Sequence, residues 1–265
     1  ECAARLLYWA KSRHRPVALV GHATKDGGLA GPLLLEHMVD AVLSFEAGNE
    51  EPFRLLRALK NRFGSTSEVG VFEMAEDGLR PVTDPSRSFL DSDRAVVPGA
   101  AVTAVMEGSR PILVEVQALV VPAQFGTPRR TCSGFDVGRA SLLAAVLERR
   151  ARVCILDRDV FINVAGGVRI QDRSADLAVA LALASSAEDW CLDRSTLFLG
   201  EVGLGGEIRP VRQATPRSAE AAKLGFTKTW GPARSRPEGR APTRWRGIDD
   251  LAEAVAAARP KGPPS

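Results

Sequence analysis

Apolar and polar positions change period several times along the chain, and each change marks an element. Residues 1–14 carry apolar side chains every three or four positions (Leu6, Leu7, Ala10), the repeat of an amphipathic helix. Pro16 introduces the apolar run 17–21, expected as a buried strand. A glycine-rich loop, 23–31, separates it from a short helix at 33–39. Alternation then predicts strands over 41–46, 53–63 and 69–74. Gly78 and Pro81 punctuate the exit. Asp84-Pro85-Ser86 reads as a capped helical turn with proline in its first position, and 91–99 as a linker.

Beyond the linker the pattern changes. Residues 101–106 and 112–121 form a strand pair around Gly108. A helix at 138–150 places Leu142, Leu143, Val146 and Leu147 on one face. A strand at 160–164 leads to Gly166-Gly167. The stretch 174–187 is rich in alanine and leucine on every side, the mark of a buried helix. Strands 196–202 and 207–211 flank Gly203-Leu204-Gly205-Gly206, and a helix follows at 216–224. Residues 231–246 hold Pro232, Pro237 and Pro242 with five arginines, before a helix at 247–258 and a disordered end. The organisation expected is therefore one unit over 1–92, a second over 100–230, and a Pro/Arg-rich tail with a short helix over 231–265.

Composition bounds the function classes. A hydrophobic content of 45% and a charged content of 25% over 265 residues are ordinary for a globular chain long enough for two domains. A formal net charge of +3 does not by itself imply nucleic-acid binding. Of 35 basic residues only Lys11, Lys25, Lys60, Lys223, Lys228 and Lys261 are lysine, a bias that fits a GC-rich genome as well as a function. No apolar run approaches the ~18 residues of a membrane span. Cys2, Cys132, Cys154 and Cys191 are dispersed, form no Cys-x-x-Cys pair, and fit a reducing compartment. His14, His22 and His37 add no metal-ligand spacing.

The chemistry concentrates at Leu59-Lys60-Asn61-Arg62-Phe63-Gly64-Ser65-Thr66. Side chains alternate along a strand, so Lys60 and Arg62 share one side of the pleat before Gly64 lets the chain turn. Two cations on a stiff strand tip suit a phosphate contact; a solvated basic strand end is the alternative. Upstream stand Gly21-His22-Ala23-Thr24-Lys25-Asp26-Gly27-Gly28, Leu29-Ala30-Gly31-Pro32 and Leu35-Glu36-His37-Met38-Val39-Asp40. With Lys60-Asn61-Arg62-Phe63-Gly64, these segments closely resemble RadA (also called Sms), the RecA-like DNA-repair ATPases of bacteria and plastids. Downstream, Val164-Ala165-Gly166-Gly167 and Gly200-Glu201-Val202-Gly203-Leu204-Gly205-Gly206-Glu207-Ile208-Arg209 resemble that family's Lon-protease-like domain.

The resemblance implies an α/β fold, the C-terminal part of a RecA-like ATPase core, followed by an α+β Lon-protease-like domain. The sequence contains no Gly-x-x-x-x-Gly-Lys-[Ser/Thr] phosphate loop and no zinc finger. The expectation is a carboxy-terminal fragment or a truncated gene product. The intact protein would be a homo-hexameric, DNA-dependent ATPase that moves branched or single-stranded DNA beside a recombinase filament, away from membranes. It would use ATP and Mg²⁺, with Zn²⁺ only in the missing amino-terminal finger, and this chain alone would bind none of them. Its place would be the bacterial cytoplasm, or a plastid or mitochondrion in a eukaryote.

The same resemblance assigns residues. His22 would sense the nucleotide, the alternative being a turn histidine. Thr24, Lys25, Gly27 and Gly28 would lie on a DNA-binding loop, where glycines let backbone amides approach phosphates; a solvent loop is the alternative. Lys60 and Arg62 would act in trans on a neighbour's nucleotide, as an arginine finger does, or else face a DNA channel. Arg129-Arg130 reads as an exposed basic turn for duplex backbone or for solvent. Lon peptidases activate a serine with a lysine. Here Ser174 falls on the serine, but Arg173 and Asp176 replace the motif's proline and glycine, and Thr215 falls on the lysine. Ser174 would then cap the start of a helix. The runner-up function is accordingly a Lon-like peptidase or an inactive Lon-like protein-binding scaffold.

Overall fold

The computed structural model describes residues 2–21, 34–47, 53–90, 96–123 and 126–260. By contact the chain divides into two compact units, Glu1–Ala47 with Phe53–Pro81, and Gly48–Pro52 with Val82–Ser265.

The first unit contains α1 (Cys2–Arg13), α2 (Leu34–Met38), β1 (Ala41–Ala47), β2 (Phe53–Asn61), β3 (Val69–Ala75) and β4 (Gly78–Pro81). The strands form an antiparallel meander in chain order. Period-2 alternation sorts its faces: Val42 and Val71 are buried on one, while Leu43, Phe45, Met74 and Leu79 are exposed on the other. A bulge between Val42 and Leu43 shifts the register, so Val42 faces Lys60 and Leu43 faces Ala58. β4 was not expected; Gly78, at φ +118°, closes the tight turn that folds it back on β3. The strand expected over 17–21 does not form. Those residues are described without regular structure, and Val20 is 99% exposed. An apolar run becomes a strand only beside a ladder partner, and no described strand pairs with it.

The second unit opens with α3 (Pro85–Phe89), whose N-cap Asp84 accepts the Arg87 amide at 3.2 Å. It continues with β5 (Ala100–Glu107), β6 (Arg110–Pro122), β7 (Arg130–Ser133), α4 (Val137–Ala151) and β8 (Arg158–Val164). A 3₁₀ turn at Arg173–Ala175 leads into α5 (Asp176–Ala187). Then come β9 (Thr196–Phe198), β10 (Glu201–Val202), β11 (Ile208–Arg209), α6 (Ala214–Lys223), β12 (Lys228–Gly231), β13 (Arg244–Gly247) and α7 (Leu251–Ala258). Seven strands make one mixed sheet, ordered β13-β12-β9-β5-β6-β8-β7. β5, β9, β12 and β13 run parallel, β6 is antiparallel to both β5 and β8, and β7 is parallel to β8. The architecture is mixed α/β.

α5 is buried from Asp176 through Ser185, as its all-round apolar sequence demands. α6 covers a core of Val102, Ala104, Leu113, Leu197 and Leu199. Ser86 Oγ accepts from the Leu113 amide at 3.1 Å and donates to Glu220 Oε1 at 3.2 Å. These bonds tie α3 to β6 and α6, so the division between units falls before Val82, earlier than the expected 92. Of the expected linker, 91–95 lie outside the described residues, while Gly99 is an integral part of the unit. At φ +89° it sits where a Cβ would come within 2.0 Å of Ala118 O.

Of the tail expected over 231–265, residues 261–265 lie outside the described residues; the short helix expected there is α7, whereas the strand β13 was not expected. β13 pairs with β12, residue for residue from Lys228–Arg244 to Gly231–Gly247. Leu251, Ala254 and Val255 of α7 are buried, and Asp250 caps that helix through the amides of Ala252 and Glu253. The arginines of the segment, Arg244 and Arg246 of the ladder among them, mask this role in the sequence. No helix among the described residues is long and apolar enough to cross a membrane, and no group of His, Cys, Asp and Glu among them has the arrangement of a metal site.

Candidate functional site

Lys60 and Arg62 meet the same short segment, residues 36–40. Lys60 Nζ donates to the carbonyls of Glu36 at 2.8 Å and His37 at 3.2 Å. It therefore places a cation on the carbonyl end of α2, where the helix leaves its acceptors unpaired. Arg62 donates its amide to Asp40 O at 2.9 Å, and its guanidinium stands 3.5 Å from Asp40 Oδ1 with 66% of the side chain exposed. That pair is loose and solvated. The turn itself is built by Asn61: Oδ1 accepts the Phe63 amide at 3.2 Å, and Nδ2 donates to Ser65 O at 3.2 Å. Gly64 serves this turn by leaving room, since a Cβ there would stand 2.9 Å from Asn61 Nδ2.

His22, Thr24, Lys25, Gly27 and Gly28 lie outside the described residues. Arg129 and Arg130 behave differently from each other. Arg129 is exposed, with its amide donating to Asp159 Oδ1 at 2.7 Å. Arg130 is the first residue of β7 and half-buried, so the pair is not an exposed turn. Its guanidinium donates to the carbonyls of Arg129, Ile155, Leu156 and Arg158, bracketing the loop before β8.

In the second unit the structure does not bring Thr215 to Ser174. Thr215 is exposed. Its neighbour one turn into α6, Arg217, is 3% exposed and points inward. Arg217 Nη1 donates to Ser174 Oγ at 2.7 Å and to Ala104 O. Nη2 donates to Asp172 Oδ2 at 2.6 Å, and Nε to Arg212 O at 3.1 Å. Ser174 is buried and is not the cap of its turn. Asp172 is, accepting the Ser174 amide on Oδ1 at 2.9 Å. Burial pushes the Asp172 carboxyl up, but the charge of Arg217 and the bonds from Arg217 and Ser174 outweigh this and hold it below its ordinary value.

Two residues on, Asp176 starts α5, fully buried. Arg139, from α4, grips it through two bonds, Nε to Oδ1 at 3.0 Å and a shorter Nη2 to Oδ2 contact. Arg139 Nη2 also donates to Val202 O at 2.7 Å, and the Val202 amide reaches Asp176 Oδ2 at 3.2 Å. Burial raises the Asp176 carboxyl above its ordinary value despite the guanidinium beside it. The bond to Asp176 raises Arg139 in turn.

The residues around Ser174 thus form two ion pairs, Arg217–Asp172 and Arg139–Asp176, with no lysine among them. Arginine keeps its proton in proteins, so Arg217 can only donate to the hydroxyl. A bond donated by a guanidinium leaves the hydroxyl proton in place and does not by itself activate the serine.

The family described as subunit ChlI of Mg-chelatase matches residues 141–235, a segment inside the second unit. Curated relatives match far more of the chain. The "DNA repair protein RadA" of Bacillus subtilis is 48% identical over 260 residues, covering 96% of this chain and 56% of the relative. That of Streptococcus pneumoniae is 50% identical over 235 residues, 89% of this chain and 56% of the relative. That of Halalkalibacterium halodurans is 49% identical over 228 residues, 86% and 50% respectively. The chain belongs to the RadA family. It spans about half the length of the curated relatives that it matches.

For this stretch of a RadA-family protein, sequence reasoning selected Ser174 but missed Arg217, Asp172 and Arg139. The signal was present but distant. Arg217 meets Ser174 across 43 residues, and Arg139 meets Asp176 across 37. One hint was local: Arg217 is a basic residue between small ones, Ala214 and Ser218, that are themselves buried on α6.

Proposed function

We propose that this chain is part of a DNA-dependent ATPase of DNA repair and recombination, a branch-migration motor subunit that works as a homo-hexameric ring on single-stranded and branched DNA. The single observation that carries this reading is the identity of 48–50% to RadA DNA repair proteins across most of the chain. The whole protein would bind ATP and Mg²⁺ and cooperate with a recombinase filament. The first unit would be the C-terminal part of a RecA-like core.

Within it, Arg62 is the better candidate for the trans contact. Its guanidinium is mostly exposed and only loosely paired, so it reaches a neighbour's γ-phosphate at little cost, and its planar fork suits bidentate contact. Lys60 is committed to two carbonyls of α2 and would support the tip that presents Arg62. His22, Thr24, Lys25, Gly27 and Gly28 would couple nucleotide state to DNA, and Arg129 would touch duplex backbone. The test is DNA-stimulated ATP turnover of the full-length protein. Arg62→Ala is expected to lower it by about 10³-fold with ring assembly intact; unchanged turnover would remove the finger role.

A specific observation supports the second reading in its inactive form. The second unit would be a Lon-like fold whose serine is locked by Arg217, serving as a non-hydrolytic scaffold in the ring. A fluorophosphonate probe is expected to leave Ser174 unlabelled.

A further inference from the structure

Between the loop before α4 and the segment before α5 lies an open groove of about 250 Å³. Its lining includes Phe135, Arg139, Arg169, Ile170, Gln171 and Arg173. Three carboxylates also reach it, and each is already engaged. Asp172 is paired with Arg217, Asp176 with Arg139, and Asp136 accepts the Arg139 amide at 2.7 Å. Arg169 and Arg173 are exposed, and neither side chain makes a hydrogen bond or salt bridge among the described residues, while the Arg173 carbonyl accepts the Asp176 amide. The groove therefore carries two exposed guanidiniums outside any direct ion pair, Arg169 and Arg173, the second attracted at longer range by Asp176 of the same lining.

Its backbone is equally open. Residues 168–172 are described without helix or strand. Burial alternates, with Arg169 and Gln171 exposed and Ile170 only 5% exposed, as in an extended chain with one face on the core. The Ile170 amide donates to Gly134 O at 2.8 Å. Successive amides of an extended chain point to opposite edges, so those of Arg169 and Gln171 turn away from Gly134. Neither has a partner among the described residues. This is the free edge that strand addition uses: main-chain bonds give affinity, and side-chain contacts give selectivity.

We infer that this groove binds an extended acidic peptide segment of a partner protein, laid along 168–172, with its carboxylates on Arg169 and Arg173. A peptide supplies both complements at once. Its carbonyls recur with the two-residue repeat of the free amides, and its acidic side chains meet the planar guanidiniums in the bidentate geometry that they favour. Phe135 and Ile170 give its apolar residues a floor. The inference rests on the reading that this unit does not cleave peptides.

The probe is a fluorescein-labelled octapeptide alternating valine and glutamate, with its valine–lysine counterpart as control, titrated against the full chain by fluorescence anisotropy. The acidic peptide is expected to bind and the basic one not. The double variant Arg169→Glu, Arg173→Glu is expected to weaken binding at least about tenfold. Because Arg173 attracts the buried Asp176, the single variant Arg169→Glu, expected to weaken binding with an unchanged melting curve, separates lost binding from lost stability. Equal binding of both peptides, no binding at millimolar protein, or an affinity indifferent to the double variant would overturn the inference. So would a double variant that loses single-stranded oligonucleotide binding while peptide binding stays intact, which would make the groove a nucleic-acid site. Mass spectrometry of the recovered peptide separates the two readings: cleavage sinks the non-hydrolytic scaffold, whereas an intact but unbound peptide sinks only the groove.

Discussion

Arg217 Nη1 donates to Ser174 Oγ at 2.7 Å, and the same guanidinium holds the Asp172 carboxylate at 2.6 Å. One buried cation thus joins the turn before α5, the strand β5 and the helix α6. This arrangement ties three elements together through one guanidinium.

Removing the cation leaves Asp172 half-buried and Ser174 Oγ without its donor. Arg217→Met is therefore expected to destabilise the chain by about 3 kcal/mol, since an uncompensated charge stays behind. Ser174→Ala removes one buried bond and is expected to cost about 1 kcal/mol. Urea unfolding measures both. Equal costs would mean that Arg217 acts only through the serine.

The Asp176–Arg139 pair predicts a pH dependence of opposite sign from an ordinary surface pair. The Asp176 carboxyl is raised in the fold, so its ionised form is the strained one, and stability falls as pH rises from the unfolded value through the folded one. Arg139→Met deepens that strain. Its cost is expected to be about 3 kcal/mol at neutral pH and to shrink as pH falls toward the unfolded value of 3.8, because the raised carboxyl takes up its proton before the unfolded one does. A cost that is the same at both pH values would show that lost packing of Arg139 dominates.

Asp193 behaves in the usual sense. Burial pushes it up, but bonds from Lys228 and Ser195 pull the carboxyl down to about 2. A depressed folded value contributes stability above the unfolded value of 3.8 that disappears as pH falls toward about 2. The carboxyl and Lys228 are each 45% exposed, so solvent screening limits the effect. Asp193→Asn is expected to cost less than about 1 kcal/mol at neutral pH and nothing in strong acid, read from thermal unfolding across that range.

How much of this was legible in the sequence depended on where each element finds its partners. α4 and α5 declare themselves through their own periodicity: Leu143, Val146 and Leu147 are buried as their spacing demands, and α5 is apolar on every side. The turn at Gly64 was legible, but the strand expected through 63 ends at Asn61, whose side chain builds the bend instead. β12 and β13 were not, because Lys228–Gly231 and Arg244–Gly247 are short, charged and end in glycine; the parallel ladder from β9 makes them strands. The run 17–21 misled for the converse reason, being apolar without a described ladder to join. The polar core around Ser174 escaped notice because each of its ion pairs joins different elements across tens of residues, and no local period encodes that.

At the strand tip, Lys60→Ala and Arg62→Ala are expected to separate. Lys60 ties down the carbonyl end of α2, so its loss is expected to cost about 1 kcal/mol of stability in the first unit. Arg62, two-thirds exposed, is expected to cost less than about 0.5 kcal/mol. Hydrogen exchange at the α2 amides distinguishes them. Equal protection in both variants would show that Lys60 does not hold the helix end.

The central proposal, that this strand tip acts across a subunit boundary on a neighbour's nucleotide, is tested most directly in mixed rings of the full-length protein. Arg62→Ala subunits with an intact nucleotide site are combined with subunits that keep Arg62 but carry a disabled phosphate loop, and DNA-stimulated ATP turnover is measured. Each population alone is expected to be inactive, and the mixture to regain turnover, because the second supplies the cation that the first lacks. A mixture that remains as inactive as its components, while size-exclusion chromatography shows that the subunits co-assemble, would contradict the proposal and confine Arg62 to its own subunit or to DNA.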